Sequence, residues 1–276
     1  MTRYIIVGCP RSGTTAVHLA LKGHPQVSAL NDEMRVSPFF DKGVSAFTFG
    51  HDPDDERHAT QRLLFDAITS VAATAETRAY GLKVCPQSPW LANLVVKGLR
   101  ADFPEVKVVL IDRSDLVAQY GSLMNARRTG VWHSWYPSAG KTEVAPRTLN
   151  RWLFSRYALE CLDTMRVLGT LEQSHDVFVC KYDALVADET ATYRSIFSFV
   201  GVDDLPITWF QAKKVMPPPQ TYIANYDELS GVLARLREQH ARGAVSPLMR
   251  RGLNAMGRGL GMWVRMTGGA GDAGPG

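Results

Sequence analysis

Hydrophobic and polar positions along the chain alternate between short β-rich runs and longer helical patterns. Continuous apolar runs predict strands at residues 4–7, 79–84, 107–111 and 177–180. Helical spacing follows them at residues 15–21, 115–128, 147–171 and 190–200. Strands that are apolar throughout are typical of a parallel sheet covered on both faces. The pattern therefore predicts one α/β domain over residues 1–245, built on a doubly wound parallel sheet.

Three segments depart from this alternation. Residues 129–146 are rich in Gly, Ser, Pro and aromatic side chains, which is typical of a loop over a site. Residues 246–266 are basic, apolar and interrupted by glycines, and they are predicted to form a C-terminal helical segment. Residues 267–276 are rich in Gly and Ala and are expected to be disordered.

Composition excludes several classes of protein. Of the 276 residues, 45% are hydrophobic and 21% are charged, so the chain is neither disordered throughout nor collagen-like. The formal net charge is +4, from 31 basic and 27 acidic residues. This small excess suits an anionic small-molecule ligand and does not indicate nucleic acid as a partner.

The four cysteines stand alone in the sequence, and none belongs to a CxxC pair or to a Cys/His pattern with zinc spacing. We expect reduced thiols and no bound metal. No apolar run approaches the ~18 residues of a membrane span. These features predict a cytoplasmic protein.

The strongest chemical signal is the segment Gly-Cys-Pro-Arg-Ser-Gly-Thr-Thr at residues 8–15. It lies between a predicted strand and a predicted helix, where backbone N–H groups converge and favour an anion. Its glycines and final threonine match the phosphate-loop pattern, but Thr14 stands where that pattern has lysine. Arg11 supplies a cation instead. Because a nucleoside triphosphate needs the lysine and a magnesium ion, this loop suits a donor whose transferred group carries less charge.

The segment resembles the 5′-phosphosulfate loop of sulfotransferases that use 3′-phosphoadenosine 5′-phosphosulfate (PAPS). The Arg form is similar to the carbohydrate and bacterial branches, and residues 113–132 are most similar to the bacterial trehalose-sulfating enzymes. Further segments resemble the family at 24–27, 33–40, 80–83, 108–113 and 179–186. The resemblance spans roughly residues 4–201 and implies a phosphate-loop sulfotransferase fold.

The resemblance also implies site residues. The loop that binds the 5′-phosphosulfate would contain Pro10, Arg11, Ser12, Gly13, Thr14 and Thr15. Arg113 would bind the 3′-phosphate, unless it forms an ion pair with Asp112 or Asp115. The usual family serine falls on Gly121, so Ser122, one residue later, or Gln119 would complete that site. Lys83 would contact the transferring sulfuryl group or the bridging oxygen.

An acceptor hydroxyl needs a base, and Glu33 is the predicted one. It follows the first helix at the distance where the resemblance places a catalytic Glu, and Met34, Phe39 and Phe40 could partly desolvate it. Asp32 is its main competitor, and His51 and His133 are weaker ones. Aromatic side chains of the 129–146 segment could stack on an acceptor, namely Trp132, Trp135 and Tyr136. Lys213 and Lys214 precede a Pro-rich run and could close over the nucleotide.

The sequence thus predicts a PAPS-dependent O-sulfotransferase that releases adenosine 3′,5′-bisphosphate (PAP) and acts on a small-molecule, sugar or lipid hydroxyl. One alternative is a magnesium-dependent kinase or nucleotide hydrolase with Asp112 as the metal ligand. The other is a non-enzymatic module that binds a membrane surface through the basic residues 246–266. Membrane-surface contact and a homodimer are left open as partners.

Overall fold

The computed structural model describes four stretches of the chain, residues 1–29, 73–129, 145–207 and 218–245. The chain divides into two compact units. The first consists of Met1–Asp115 and Asp163–Val215, and the second consists of Leu116–Leu162 and Met216–Gly276. The predicted segments 246–266 and 267–276 lie outside the described residues, so these domain limits stay predictions.

A five-stranded sheet forms the centre of the first unit. Its strands are β1 Thr2–Gly8, β2 Val27–Ala29, β3 Ala79–Val84, β4 Lys107–Asp112 and β5 Val177–Lys181. They lie in the order β2-β3-β1-β4-β5, and every neighbouring pair is parallel. All carboxyl ends therefore meet at one edge, and the strand order reverses beside β1, where ligands of such sheets bind. The predicted doubly wound parallel sheet is confirmed.

Seven α-helices lie in the described stretches of the chain. They are α1 Thr14–Lys22, α2 Pro89–Asp102, α3 Leu116–Thr129, α4 Arg151–Gly169, α5 Tyr182–Ala187, α6 Glu189–Val200 and α7 Tyr226–Ala241. Two 3₁₀ turns accompany them, at Thr170–Gln173 and Pro219–Thr221. None of the described helices is both long and apolar enough to cross a membrane.

Successive residues of the inner strands point to opposite faces of the sheet. Ile5 and Val7 of β1 belong to a buried cluster with α2, whereas Tyr4 and Ile6 belong to a second cluster with α1 and α6. β4 alternates in the same way between the two clusters. Helices thus cover both faces, which explains why the strands are continuous apolar runs in the sequence.

The second unit contains α3, most of α4, and α7. Gly121 of α3 lies against the segment before α7, because a Cβ at this position would lie 2.5 Å from Ile223 Cδ1 and 3.0 Å from the Tyr222 ring. A side chain at 121 would require the side chains of Ile223 and Tyr222 to shift. This packing explains why the position where the family pattern has serine is a glycine here.

Besides the short helix α5 and the two 3₁₀ turns, three observed elements are not predicted by the sequence pattern. β2 has only three residues, which is too short for a periodic signal. The sequence does contain a start signal for α2, because the capping residue Ser88 is followed by Pro89 at the first helical position. In the structure, Ser88 accepts a capping bond from the Leu91 amide at 3.3 Å. α7 buries one face through Leu229, Val232, Leu233 and Leu236.

The long helix begins later than its pattern predicts, at Arg151 rather than at residue 147. The Arg147 backbone instead pairs with the segment at Ile223, donating to the Tyr222 carbonyl at 3.0 Å and accepting from the Ala224 amide at 2.8 Å. Asn150 then caps the helix, because its Oδ1 accepts from the Trp152 amide at 2.9 Å. A tertiary pairing therefore overrides the local helical preference.

His24 is a structural residue of the first unit. It is 1% exposed, its Nε2 lies 3.0 Å from the Asp203 carbonyl oxygen, and its Nδ1 accepts from the Gln26 amide at 3.1 Å. Asp203 in turn accepts from Arg78 at 2.8 Å through its carboxylate. This arrangement requires neutral imidazole, because a protonated Nδ1 cannot accept a hydrogen bond.

Acid is therefore expected to weaken the fold through His24. Burial lowers the pKa of His24, and the Asp203 carbonyl and charge only partly oppose it. Below about pH 6.5 the unfolded chain then takes up a proton that the folded chain does not, so the free energy of unfolding falls. The urea midpoint should drop more for the native sequence than for His24→Gln between about pH 7.5 and about pH 5.5. Parallel pH curves for the two proteins would contradict this.

Candidate functional site

The loop between β1 and α1 reverses direction through two left-handed residues. Arg11 has a φ of 66° and Gly13 a φ of 106°. Ser12 donates its amide to the Cys9 carbonyl at 3.2 Å, which closes the turn. The first amides of α1 have no intrahelical acceptor and carry the positive end of the helix dipole. The loop therefore presents backbone N–H groups that suit an anion, as its sequence predicts.

Gly13 must be a glycine for two independent reasons. Its φ lies where L side chains are disfavoured. In addition, a Cβ here would lie 2.8 Å from Cδ2 of Tyr182, the first residue of α5. The phosphate loop is thus packed closely against the turn that follows β5.

Ser12 carries a buried hydroxyl that has no hydrogen-bond partner among the residues the structure describes. The residue is 1% exposed, and its Oγ lies against Gly8. An unpaired buried hydroxyl costs about 1–3 kcal/mol, so such a group is normally retained for a partner. A phosphate or sulfate oxygen in the loop would supply that partner.

The two threonines that open α1 are held by side chains from the end of β3. Thr14 Oγ1 lies 3.2 Å from Cys85 Sγ, and Thr15 Oγ1 accepts from Lys83 Nζ at 2.8 Å. Lys83 is 4% exposed, and it is opposite Ile6 of β1 in the sheet register. The structure therefore brings the predicted Lys83 to the phosphate loop.

Arg113 reaches the same loop from the carboxyl end of β4. Its Nη1 donates to the Arg11 carbonyl at 3.0 Å, and its Cζ lies 4.2 Å from the centre of the Tyr182 ring. Its Nε is buried without a partner within the described part of the chain. The Nε–H of Arg113 is thus a donor without an acceptor in the described part of the chain.

Asp112 does not pair with Arg113. Its carboxylate accepts from Lys181 Nζ at 2.6 Å across the β4–β5 edge. A reaction that used Asp112 as a metal ligand would have to break this ion pair. Within the described stretches, no group of three or more His, Cys, Asp or Glu side chains has an arrangement that could hold a metal ion.

Three cationic residues therefore belong to this loop or bond to it: Arg11 is part of the loop, Arg113 donates to the Arg11 carbonyl, and Lys83 donates to Thr15. Pro10 lies in the same loop and is half-buried. Cys180, at the end of β5, is no candidate nucleophile, because burial raises the pKa of its thiol to about 11. The electrostatics of this edge thus favour an anionic ligand.

Several predicted residues are not tested by this geometry. Ser122 is half-buried and Gln119 is buried on α3, both in the second unit, so their 3′-phosphate role stays a prediction. Other candidates lie outside the described residues, namely Asp32, Glu33, His51, Trp132, His133, Trp135, Tyr136, Lys213 and Lys214.

Two residues at this edge have no role assigned from the sequence. Tyr182 belongs to the 179–186 segment, whose likeness to the family was its only signal. Cys85 was expected only to be a reduced thiol, and a pattern of lone cysteines could not reveal its contact with Thr14. The contacts of Tyr182 with Gly13 and of Cys85 with Thr14 join residues that are far apart in the chain. They can be recognised only when the order of the strands in the sheet is known.

Known proteins that are similar to this chain are sulfotransferases. Residues 4–206 match the model described as the sulfotransferase family. A sulfotransferase from Alicyclobacillus acidocaldarius is similar in structure, with TM-score 0.49 and 17% identity over 91% of this chain and 99% of that chain. Sulfotransferase STF9 from Mycobacterium avium has TM-score 0.47 and 14% identity over 86% of this chain and 76% of that chain. No curated protein matches the sequence.

Proposed function

Because the chain belongs to the sulfotransferase family, we propose that it moves the sulfuryl group of PAPS to the hydroxyl of a small-molecule, sugar or lipid acceptor. The observation that carries the proposal is the bond from Lys83 Nζ to Thr15 Oγ1. In nucleotide hydrolases the corresponding hydroxyl binds Mg²⁺. Here it faces an ammonium group, which would repel a divalent cation. The loop thus favours an enzyme whose donor needs no metal, and it disfavours the alternative of a magnesium-dependent kinase.

The polar groups of the site fit the two phosphates of such a donor. The loop amides and the Ser12 hydroxyl would bind the 5′-phosphosulfate, and the Arg113 Nε–H would bind the 3′-phosphate. The Ser12 hydroxyl and the Arg113 Nε–H are buried and unpaired within the described residues, so a hydrogen bond to a ligand would satisfy each of them. Charge-assisted bonds of this kind are the strong ones in proteins.

The reaction needs positioning and charge stabilisation more than covalent chemistry. The acceptor oxygen bonds to sulfur while its proton passes to a base, for which we propose Glu33. The bond between sulfur and the bridging oxygen breaks, and PAP leaves with the electron pair. Lys83 and Arg11 stabilise the charge that grows on that oxygen, and Thr14 and Thr15 hold the loop against β3.

One experiment identifies the donor and the acceptor together. The protein is incubated with a metabolite extract and PAPS that carries radioactive sulfur. We expect one compound to gain the label together with the mass of a sulfuryl group, and PAP to accumulate with it. Transfer of phosphate from ATP with magnesium, and no transfer from PAPS, would overturn the proposal in favour of a kinase. The resulting acceptor then serves as the assay substrate.

Arg113→Ala is expected to remove recognition of the 3′-phosphate. Affinity for PAP should fall about 10- to 100-fold, because a charged donor to phosphate is lost. Affinity for adenosine 5′-phosphate, which lacks the 3′ group, should change little. Calorimetric titration of both nucleotides measures this difference.

The control is Arg100→Ala, which removes an exposed arginine whose Nη2 donates to the Thr170 carbonyl at 2.7 Å. It should leave both affinities near those of the native protein. Equal weakening of PAP and adenosine 5′-phosphate by Arg113→Ala would show that Arg113 does not contact the 3′ group.

A further inference from the structure

One large aromatic side chain lies exposed at the ligand edge of the sheet. β3 ends at Val84 and α2 begins at Pro89, so the first turn of α2 lies at the carboxyl edge. Trp90 belongs to this turn and is 55% exposed. It lies on the opposite side of α2 from the buried Ala92, because two residues turn an α-helix by about 200°. Trp90 therefore faces away from the core that α2 covers.

The backbone around Trp90 is held in place by its neighbours. The Ser88 hydroxyl accepts from the Leu91 amide at 3.3 Å, and Asn93 Nδ2 donates to the Pro89 carbonyl at 3.1 Å. Pro89 also fixes its own φ. A ligand that packs on this indole would have little backbone freedom to remove, which favours binding.

The strand order places Trp90 on the acceptor side of the candidate site. β3 lies on one flank of β1, and β4, which Arg113 follows, lies on the other. A donor with its 5′-phosphosulfate on the β1 loop and its 3′-phosphate at Arg113 extends towards β4. In-line attack brings the acceptor from the side of sulfur opposite the leaving oxygen, which is the β3 side. The chain that links β3 to α2 therefore borders the acceptor.

Trp90 is placed to contact an outer part of the acceptor. Cys85 Sγ lies 3.2 Å from Thr14 Oγ1 of the phosphate loop, and the five residues from Cys85 to Trp90 span at most about 17 Å. Lys83, at the proposed point of transfer, is 4% exposed, whereas Trp90 lies at the surface. An acceptor that reaches both residues extends from a buried reacting hydroxyl to an exposed second group.

The surroundings of Trp90 fit a neutral sugar. No charged residue lies between Lys83 and Lys97, and the exposed neighbours Gln87 and Asn93 carry amides. A sugar ring has apolar C–H faces and a rim of hydroxyls, so one indole with amides beside it matches both parts. A lipid chain would need a continuous apolar surface, and an anionic acceptor would need a cation.

We propose that Trp90 is an acceptor-binding residue whose indole stacks on a sugar ring, and that the acceptor is a neutral saccharide of at least two rings. The reacting hydroxyl belongs to the ring near Lys83, and Trp90 binds the ring beyond it. This rests on the proposed function, because the direction from which the acceptor arrives follows from the position of the donor.

The test measures saccharide binding to the full chain loaded with PAP, by saturation-transfer NMR. The probes are maltose, cellobiose, lactose, sucrose and trehalose, with methyl glucoside as the single-ring probe. At least one disaccharide should bind, and Trp90→Ala should weaken that binding about 10-fold. Trp90→Phe keeps an aromatic ring and should stay within about 3-fold of the native protein. Affinity for methyl glucoside should be the same in all three proteins.

The matched control is Trp152→Ala, which removes an indole that is 43% exposed at the start of α4. It should leave disaccharide affinity unchanged. If Trp90→Ala does not fold, Trp90→Gln takes its place. Sedimentation velocity of the native protein and of Trp90→Ala shows whether Trp90 contacts a second copy of the chain instead.

The results separate this inference from the proposed function. A native protein that does not bind PAP overturns the proposed donor, and this inference with it. A native protein that binds PAP but none of the disaccharides overturns the inference alone. Native disaccharide affinity in Trp90→Ala also overturns it, whether or not that variant loses a dimer.

Discussion

Lys83→Met is expected to lower turnover about 10²- to 10³-fold while donor affinity changes much less. Methionine keeps the length and the apolar stem of the buried side chain but removes its charge. The ammonium lies 2.8 Å from Thr15 Oγ1, beside the helix turn where the phosphosulfate would lie. Because negative charge grows on the bridging oxygen during sulfuryl transfer, the loss is felt mainly in the transition state. Steady-state kinetics with the identified acceptor measures it.

Lys83→Arg is the matched control, since it keeps a positive charge at the same strand position. It should retain more activity than Lys83→Met, although a guanidinium has a different shape. Thermal melting of both variants checks that β3 still forms. Turnover of Lys83→Met within a few-fold of the native protein would mean that Lys83 only ties β3 to α1.

Glu33→Gln is expected to reduce turnover by about 100-fold or more and to leave PAP binding almost unchanged. The substitution keeps size and hydrogen bonding but removes the base that takes the acceptor's proton. An alcohol is a weak nucleophile until its proton is taken, so the effect should appear in turnover. Kinetics with saturating PAPS and calorimetry with PAP measure the two quantities separately.

Asp32→Asn and His51→Ala are the comparisons that identify the base. Both should stay active if Glu33 has this role. Normal turnover by Glu33→Gln with an inactive Asp32→Asn or His51→Ala would reassign the base to the residue whose loss abolishes activity.

The apolar runs of the sequence predicted four of the five strands, because each is covered by helices on both faces. β1 and β4 alternate between two buried clusters, so neither strand has a polar side to interrupt the run. The family was predicted correctly from the segments between residues 4 and 201, and the family match spans 4–206. The likeness to trehalose-sulfating enzymes stays a prediction. The predicted start of the long helix at residue 147 was wrong, because a backbone pairing of Arg147 with the distant Ile223 delays the helix until Arg151.

The loop at residues 8–15 is the part of the candidate site that could be predicted from neighbouring residues alone. Strand, glycines, hydroxyls and helix follow one another within residues 2–22, so local order was sufficient to predict an anion site. The residues that surround this loop could be identified only from the folded structure. Lys83, Arg113 and Tyr182 arrive from β3, β4 and β5, because the sheet order β2-β3-β1-β4-β5 brings distant carboxyl ends together. Neighbouring parallel strands are joined by long crossover connections. The spacing of residues along the sequence therefore does not show which strand ends lie side by side.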